Sequence, residues 1–425
     1  MAEQAAELLI TRFPNSPYTI AVTTWLAKQY SSIELGKLAF DQQVAWGSLK
    51  ADGSPSQSVK NSQRYATGPE KKVEAGVTTL TWKPLQPAVR QKAEEADLNN
   101  SPPETDKPTI AQASATEDIE TETLVLPSDR PEFYLQRLQR SARLLSSIGQ
   151  RDPDFAAGPY CQWLEVQLAR QLNEVRPNAV GSLPNRYQKL LAGRGKLRES
   201  IAEKVNFELA LLDGEIKAVP QFPLPAQSNC LEIQDRPNLD GRLSEICWRS
   251  APATPVLITS DENKRQPQAQ VQFCRDAEHL YIAIACEKFA KLTYKPSLGK
   301  RKRDAQIDGT DHVTIVLDLD RDHQTNFYFS INHQGLAQES CSGIAPWNPN
   351  WFVSNSQTET LWMVEAAIPL SAISPTKIRP SDRWNLHLSR SISPTRIGSL
   401  NQDSEKARSI FFHRPLPKLE NTLSF

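Results

Sequence analysis

From Pro237 onward the apolar residues of this chain alternate with polar ones in short runs, and that period of two commits its C-terminal part to β-structure. Val271 and Phe273 alternate with polar neighbours. Leu280, Ile282, Ile284 and Cys286 follow, then Val313, Ile315 and Leu317, then Phe327, Phe329 and Ile331 closed by Gly335. Trp362, Val364, Ala366 and Ile368 make a further face ending at Pro369, and Trp384, Leu386 and Leu388 the last one. Strands this short, separated by turn residues, predict an antiparallel sandwich of two packed sheets.

These strands occupy less than half of 425 residues, a length that suits two or three domains. Ahead of them the period is helical. In residues 1–46, Ala5, Ala6, Leu9, Ile10 and Phe13 mark one helix, and Phe13-Pro14-Asn15-Ser16-Pro17 breaks it. Tyr18, Ala21, Trp25, Leu26 and Tyr30 form the stripe of a second; Ser31 or Ser32 caps a third that carries Ile33, Leu35, Leu38 and Phe40. Residues 47–130 are dominated by Ser, Thr, Pro, Gln, Glu and Lys, with one strand-like run at Val77–Trp82. Such a composition does not offset the entropy of ordering and reads as a disordered linker. Residues 131–228 return to helical spacing, with Phe133, Leu135, Leu138, Leu144, Leu145 and Ile148 on one helix. Asp152-Pro153-Asp154 opens the next, carrying Trp163, Leu164, Val166, Leu168 and Leu172, and a third runs from Tyr187 to Leu212. The predicted class is a multidomain α + β chain: N-terminal helical-repeat segments, a disordered linker, and a C-terminal antiparallel β-sandwich at 229–425.

Charge narrows the partners. Lys+Arg and Asp+Glu both number 49, so no global field draws nucleic acid or an anionic membrane. No apolar run approaches the ~20 residues that span a bilayer. The opening Met1-Ala2-Glu3-Gln4 lacks the basic-then-apolar pattern of a secretory signal. The six cysteines form no C-x-x-C pair, so zinc has no support and they read as free thiols. A bridge among Cys247, Cys274, Cys286 and Cys341 stays open for an exported chain.

Five phrases in order carry a resemblance. Asn238-Leu239-Asp240-Gly241-Arg242-Leu243-Ser244-Glu245-Ile246-Cys247-Trp248 opens the strand region, and Asp276-Ala277-Glu278-His279-Leu280-Tyr281-Ile282-Ala283 follows. Asp311-His312-Val313 then leads to Leu317-Asp318, Trp362 to Pro369 ends in Ile-Pro, and Trp384 leads to Arg390. Together they resemble the family 9 carbohydrate-binding modules and their DOMON-like relatives, while the short helices upstream resemble tetratricopeptide-like repeats. The resemblance implies a non-catalytic sandwich, a glycan or polysaccharide partner, and an exported setting in carbohydrate recognition or catabolism. Repeats of the helical kind imply a protein partner.

The family clamps a sugar between exposed aromatics, and here the chain departs from it. Ile307-Asp308-Gly309-Thr310 holds no aromatic where one family Trp lies, and Asp403 to Phe411 offers only Phe411. A substitute platform is Trp347, Asn348, Asn350 and Trp351, stiffened by Pro346 and Pro349, with two flat rings for a pyranose face and two amides for hydroxyls. The competing reading has one Trp plugging the sandwich end and the other covering a sheet edge. Arg303, in the basic run Lys300–Arg303, together with Asp308 and Asp311 is a second candidate ligand set. Asp240, Trp248, Glu365 and Arg390 read as structural, with Glu365 pairing Arg390.

Asp318-x-Asp320-x-Asp322 has the start of a calcium loop, but His323 and Phe329 stand where the helix–loop–helix motif needs Gly and Glu. It reads as a solvated hairpin turn, with calcium the one cofactor left open. Some relatives hold haem through Met and His or Lys; Met363, the only internal methionine, sits in a strand and reads as packing. No carboxylate pair, nucleophile motif or H-E-x-x-H spacing supports catalysis. The expected functions are therefore a glycan-binding module first, a structural or protein-interaction scaffold second, and an accessory part of a glycoside hydrolase third.

Overall fold

The computed structural model describes residues 2–45, 70–74, 77–81, 132–175, 182–192, 199–216, 227–259, 268–290, 292–296, 307, 309–344, 347–380, 382–392 and 408–412. Helices fill the first half: α1 (Ala2–Arg12), α2 (Thr19–Ser31), α3 (Ile33–Ala45), α4 (Glu132–Arg151), α5 (Pro153–Ala156), α6 (Pro159–Val175), α7 (Leu183–Ala192) and α8 (Glu199–Ile216). Between α3 and α4, inside the predicted linker, Glu70–Glu74 (β1) and Val77–Thr81 (β2) pair as an antiparallel hairpin; the rest of 47–130 lies outside the described residues. The strand-like run was visible in the sequence, while its partner, Glu70-Lys71-Lys72-Val73-Glu74, is mostly charged.

Sequence caps account for several helix ends. Ser32 Oγ accepts from Leu35 N at 3.1 Å and starts α3. Asp152 accepts from Phe155 N at 2.9 Å and Pro153 takes the first helical position of α5, which lasts only four residues before α6 begins at Pro159. The helix predicted from Tyr187 to Leu212 is two, α7 and α8, with Gly193 and Gly195 between them.

The helices on either side of the hairpin share one interior. Ala27 of α2 packs with Leu138, Leu145 and Ile148 of α4 and with Leu164 and Leu168 of α6. Arg137 of α4, 4% exposed, grips Glu3 through both Nη atoms, donates to Gln29 O at 2.6 Å, and stacks over the Tyr30 ring. One guanidinium thus ties α1, α2 and α4. Trp163 and Val166 carry the packing on to Tyr187, Val205 and Leu209 of α7 and α8. Two residues of the predicted α2 stripe go the other way: Tyr18 is 70% and Trp25 40% exposed.

The second half holds β3 (Gln227–Glu232), α9 (Ile246–Ser250), β4 (Thr254–Pro255), β5 (Leu257–Thr259), β6 (Ala269–Arg275), β7 (His279–Glu287), β8 (His312–Asp318), β9 (Phe327–Asn332), β10 (Ala337–Cys341), β11 (Phe352–Gln357), β12 (Leu361–Pro369), α10 (Leu370–Ile373), β13 (Arg383–Ser391) and β14 (Arg408–Phe412). Hydrogen bonds run in the order β10-β9-β8-β13-β14-β3-β6-β7-β12-β11, with β4 on β6 and β5 on β13. The path folds over so that Val313, Ile315, Leu317, Phe329, Leu386 and Leu388 of one half meet Phe273, Ile282, Ile284, Val364 and Ala366 of the other. The result is a sandwich, but a mixed one: β14–β3, β3–β6 and β13–β5 pair in parallel. The polar strands β10 and β11 stand at the two ends of the path. An edge strand packs on fewer neighbours and needs less apolar surface, which is why their residues gave no alternation.

The helices are not a separate layer. Leu35 and Leu38 of α3 belong to the sandwich core, where they close its end together with Leu319 and Trp347.

Candidate functional site

Burial removes the tryptophan platform. Trp347 is 4% exposed, with its ring 4.6 Å from Phe327 and 5.6 Å from Phe329. Trp351 is 8% exposed, lies 5.1 Å from Phe329, and donates its indole N–H to Glu339 at 2.9 Å. Among the described residues of that loop, Asn348 and Asn350 are the exposed ones. Apolar rings next to an open sandwich end gain more by entering it than by facing water.

Asp311 is likewise withdrawn. It is 1% exposed and receives Arg390 through Nε and Nη2 at 2.8 and 2.6 Å, the Trp362 indole at 2.8 Å and the Tyr294 hydroxyl at 2.7 Å. Its companions Arg303 and Asp308 lie outside the described residues. Arg390 therefore pairs with Asp311 and not, as expected, with Glu365. Strand parity decides this: Trp362, Val364 and Ala366 point into the main core, so Glu365 points to the opposite face. There it accepts from Asp240 N (2.8 Å), Gly241 N (2.6 Å) and the Trp248 indole (2.7 Å). Burial and the nearby Glu245 push its carboxyl up to about 8, against the pull of the Gly241 and Trp248 donors. Asp240-Gly241 is the turn that delivers those donors. Gly241 has φ +82°, and a Cβ on it would sit 2.5 Å from the Asn355 carbonyl carbon.

The predicted solvated turn is buried. Asp318, Asp320 and Asp322 are 4%, 2% and 4% exposed, because α3 and α6 cover them. Glu34 of α3 accepts from Leu319 N at 2.6 Å, Asp320 accepts from Ile33 N at 2.8 Å, and Ser32 meets Thr325 at 2.8 Å. Arg321 and His323, both with left-handed φ (52° and 56°), turn their side chains toward Glu208 of α8 at 3.3 and 3.2 Å. Burial alone would raise the Glu208 carboxyl; Arg321, His323 and Arg170 outweigh it and hold it down at about 2.

Beside this junction a cleft of about 290 Å³ opens between helices and sandwich. Trp384 and Arg383 of β13, Arg321 and Asp382 line one wall; Arg170, Asn173 and Glu174 of α6 line the other, with Leu183, Leu211 and Leu212 from α7 and α8. Most of its charges are matched in place, and Arg383 donates through Nη1 to Leu211 O at 3.0 Å. Arg170 pairs with Glu174 at 2.9 Å, Arg321 with Glu208, and Asp382 with Arg379 at 3.2 Å. Sequence reading missed this cleft because its walls come from segments more than a hundred residues apart. The one local signal was Trp384, which also served as a strand residue.

No family model and no curated relative matches the chain. Among solved structures, a family 9 carbohydrate-binding module from Caldicellulosiruptor kristjanssonii in complex with cellotriose is similar at 14% identity and a TM-score of 0.33, over 47% of this chain and 98% of that one. A module of the same family and organism in complex with glucose gives 15% identity and a TM-score of 0.32, over 46% and 99%. A structure from Bacteroides uniformis gives 9% and 0.31, over 44% and 99%.

Proposed function

We propose that this chain is a non-catalytic glycan-binding module whose sugar site is the cleft between α6 and β13. The observation that carries the reading is the composition of that cleft. A pyranose presents an apolar C–H face and a rim of hydroxyls; the half-buried Leu212 and Pro375 offer apolar surface to the first, and guanidinium, amide and carboxylate groups offer partners to the second, while Trp384, 5% exposed, backs the wall from the sandwich core. A volume near 300 Å³ suits one or two sugar rings. Because most of the cleft's ions are already paired, Arg170 with Glu174 inside it and Arg321 and Asp382 with Glu208 and Arg379 outside it, little charge remains to attract an acidic polysaccharide, and a neutral oligosaccharide is the better fit. Glu174 and Asp382 are each held in an ion pair, with Arg170 and Arg379, which supports a binding role over hydrolysis. The five family phrases support the sandwich as a family 9-type fold and an exported setting for the role. Among the described residues no helix is long and apolar enough to cross a membrane.

The test is affinity electrophoresis of the full chain in gels cast with neutral and acidic polysaccharides, with Asn173→Ala and Asp382→Asn in the cleft and Asn348→Ala outside it. Retention by a neutral polysaccharide, reduced tenfold or more by the cleft variants and kept by Asn348→Ala, is the expected result. Equal retention of all four proteins removes the cleft from the reading. Absence of retention by folded wild type leaves a protein-interaction scaffold. That second reading has its own observation: Leu8, Phe13, Tyr18 and Trp25 are 54%, 62%, 70% and 40% exposed on α1, α2 and their connection.

A further inference from the structure

We propose that the junction of helices and sandwich is a calcium site formed by Glu34, Asp318, Asp320 and Gln171. Carboxylate oxygens of the first three lie within 4.8 Å of one another, and all three residues are buried. They come from separate elements: Glu34 from the first turn of α3, Asp318 from the end of β8, and Asp320 from the loop that follows. The three carboxylates accept from surrounding backbone, hydroxyl and amide groups. Glu34 has Leu319 N, Ser32 Oγ at 3.3 Å and Thr325 Oγ1 at 3.1 Å; Asp318 has Asp322 N, His323 N and Asn385 Nδ2; Asp320 has Ile33 N and Asp322 N.

Gln171 of α6 supplies an independent pointer. It is 1% exposed, its Nε2 lies 3.2 Å from Asp320 Oδ2, and its Oε1 is buried with no hydrogen-bond partner. The Gln171 amide reaches the cluster through Nε2 while its Oε1 has no hydrogen-bond partner, and a half-turn of the amide would present Oε1, a cation ligand, to the centre that Asp320 faces. Three carboxylates and an amide oxygen make an all-oxygen, hard donor set. Ligands gathered from loop and helices, at variable spacing, suit the tolerant geometry of Ca²⁺ better than the compact octahedron of Mg²⁺. Three buried carboxylates whose oxygens lie within 4.8 Å of one another repel when ionised. A divalent ion would replace that repulsion with bonds and fasten α3 and α6 to β8.

The experiment uses the full chain stripped with EDTA and dialysed. Thermal unfolding is followed with added CaCl₂ or MgCl₂ for wild type, Glu34→Gln and the surface variant Asn348→Ala. The expected result is a rise in Tm of several degrees with Ca²⁺, smaller with Mg²⁺, kept by Asn348→Ala and lost in Glu34→Gln. Terbium luminescence of wild type, displaced by Ca²⁺ in a one-to-one titration, gives a readout that does not depend on the variant folding. A wild-type Tm indifferent to Ca²⁺ together with absent terbium binding overturns the site, as does an undiminished Ca²⁺ response in folded Glu34→Gln. Glycan retention is read separately, so failure of one proposal is distinguishable from failure of the other.

Discussion

Glu365, Asp311 and Arg390 show how one residue's parity on a strand sets its chemistry. All are buried and ionisable, yet only Asp311 and Arg390 share a face. Removing one partner of such a buried pair leaves the other uncompensated, so Asp311→Asn should cost about 3–5 kcal/mol in urea unfolding. A loss under about 1 kcal/mol would mean the pair is solvated. At Gly241 the constraint is backbone: positive φ and a Cβ at 2.5 Å from Asn355 predict that Gly241→Ala loses at least about 3 kcal/mol, measured the same way. Glu208 gives a pH signature. Its folded carboxyl lies near 2 against a usual 4.5, so its contribution is present above 4.5 and is lost as pH falls through 2. That shift corresponds to about 3 kcal/mol. Glu208→Gln should therefore be less stable than wild type at neutral pH, and the gap should close at the acid end of a pH series. A gap constant across pH would refute the ion-pair account.

At the scale of elements, α3 matters most. A short helix from the far N-terminus puts Leu35 and Leu38 into the sandwich core and Glu34 onto the β8–β9 loop. Leu38→Ala should cost about 2–4 kcal/mol, comparable to a substitution inside a sheet, even though it lies in a helix. A surface-like effect below about 0.5 kcal/mol would show that α3 does not plug the sandwich. The helix itself was legible: Ser32 caps it and its apolar spacing is regular. Its destination was not, because nothing in an amphipathic stripe says which surface it will cover.

For the whole molecule, helices and sandwich share side chains across one junction, so they should melt together. Far-UV CD, dominated by helix, and near-UV CD, which reports the packed tryptophans of both halves, are expected to coincide in thermal unfolding of the full chain. Separate transitions would mean that Glu34–Leu319, Asp320–Ile33 and Glu208–Arg321 do not couple the two halves. The cleft depends on that coupling, since β13 supplies one wall and α6 the other.

Local periodicity determined the kinds of element in this chain and much of their order, because a period of two or of 3.6 residues is written in neighbouring side chains. The inner strands β6, β7, β8, β9, β12 and β13 were all readable in this way, whereas the Asp240–Trp248 stretch stood out only by its resemblance to a family phrase. Tertiary structure alone decided which buried charges met and where the tryptophans of the 347–351 loop went. It also decided that an acidic turn would be sealed under α6 and under α3, the latter 285 residues earlier. Those outcomes rest on contacts between distant segments, where desolvation and close packing, not local spacing, choose the partner. The sandwich with which the sequence began is there, but its most chemically loaded surface lies at the junction with helices that the strand pattern did not mention.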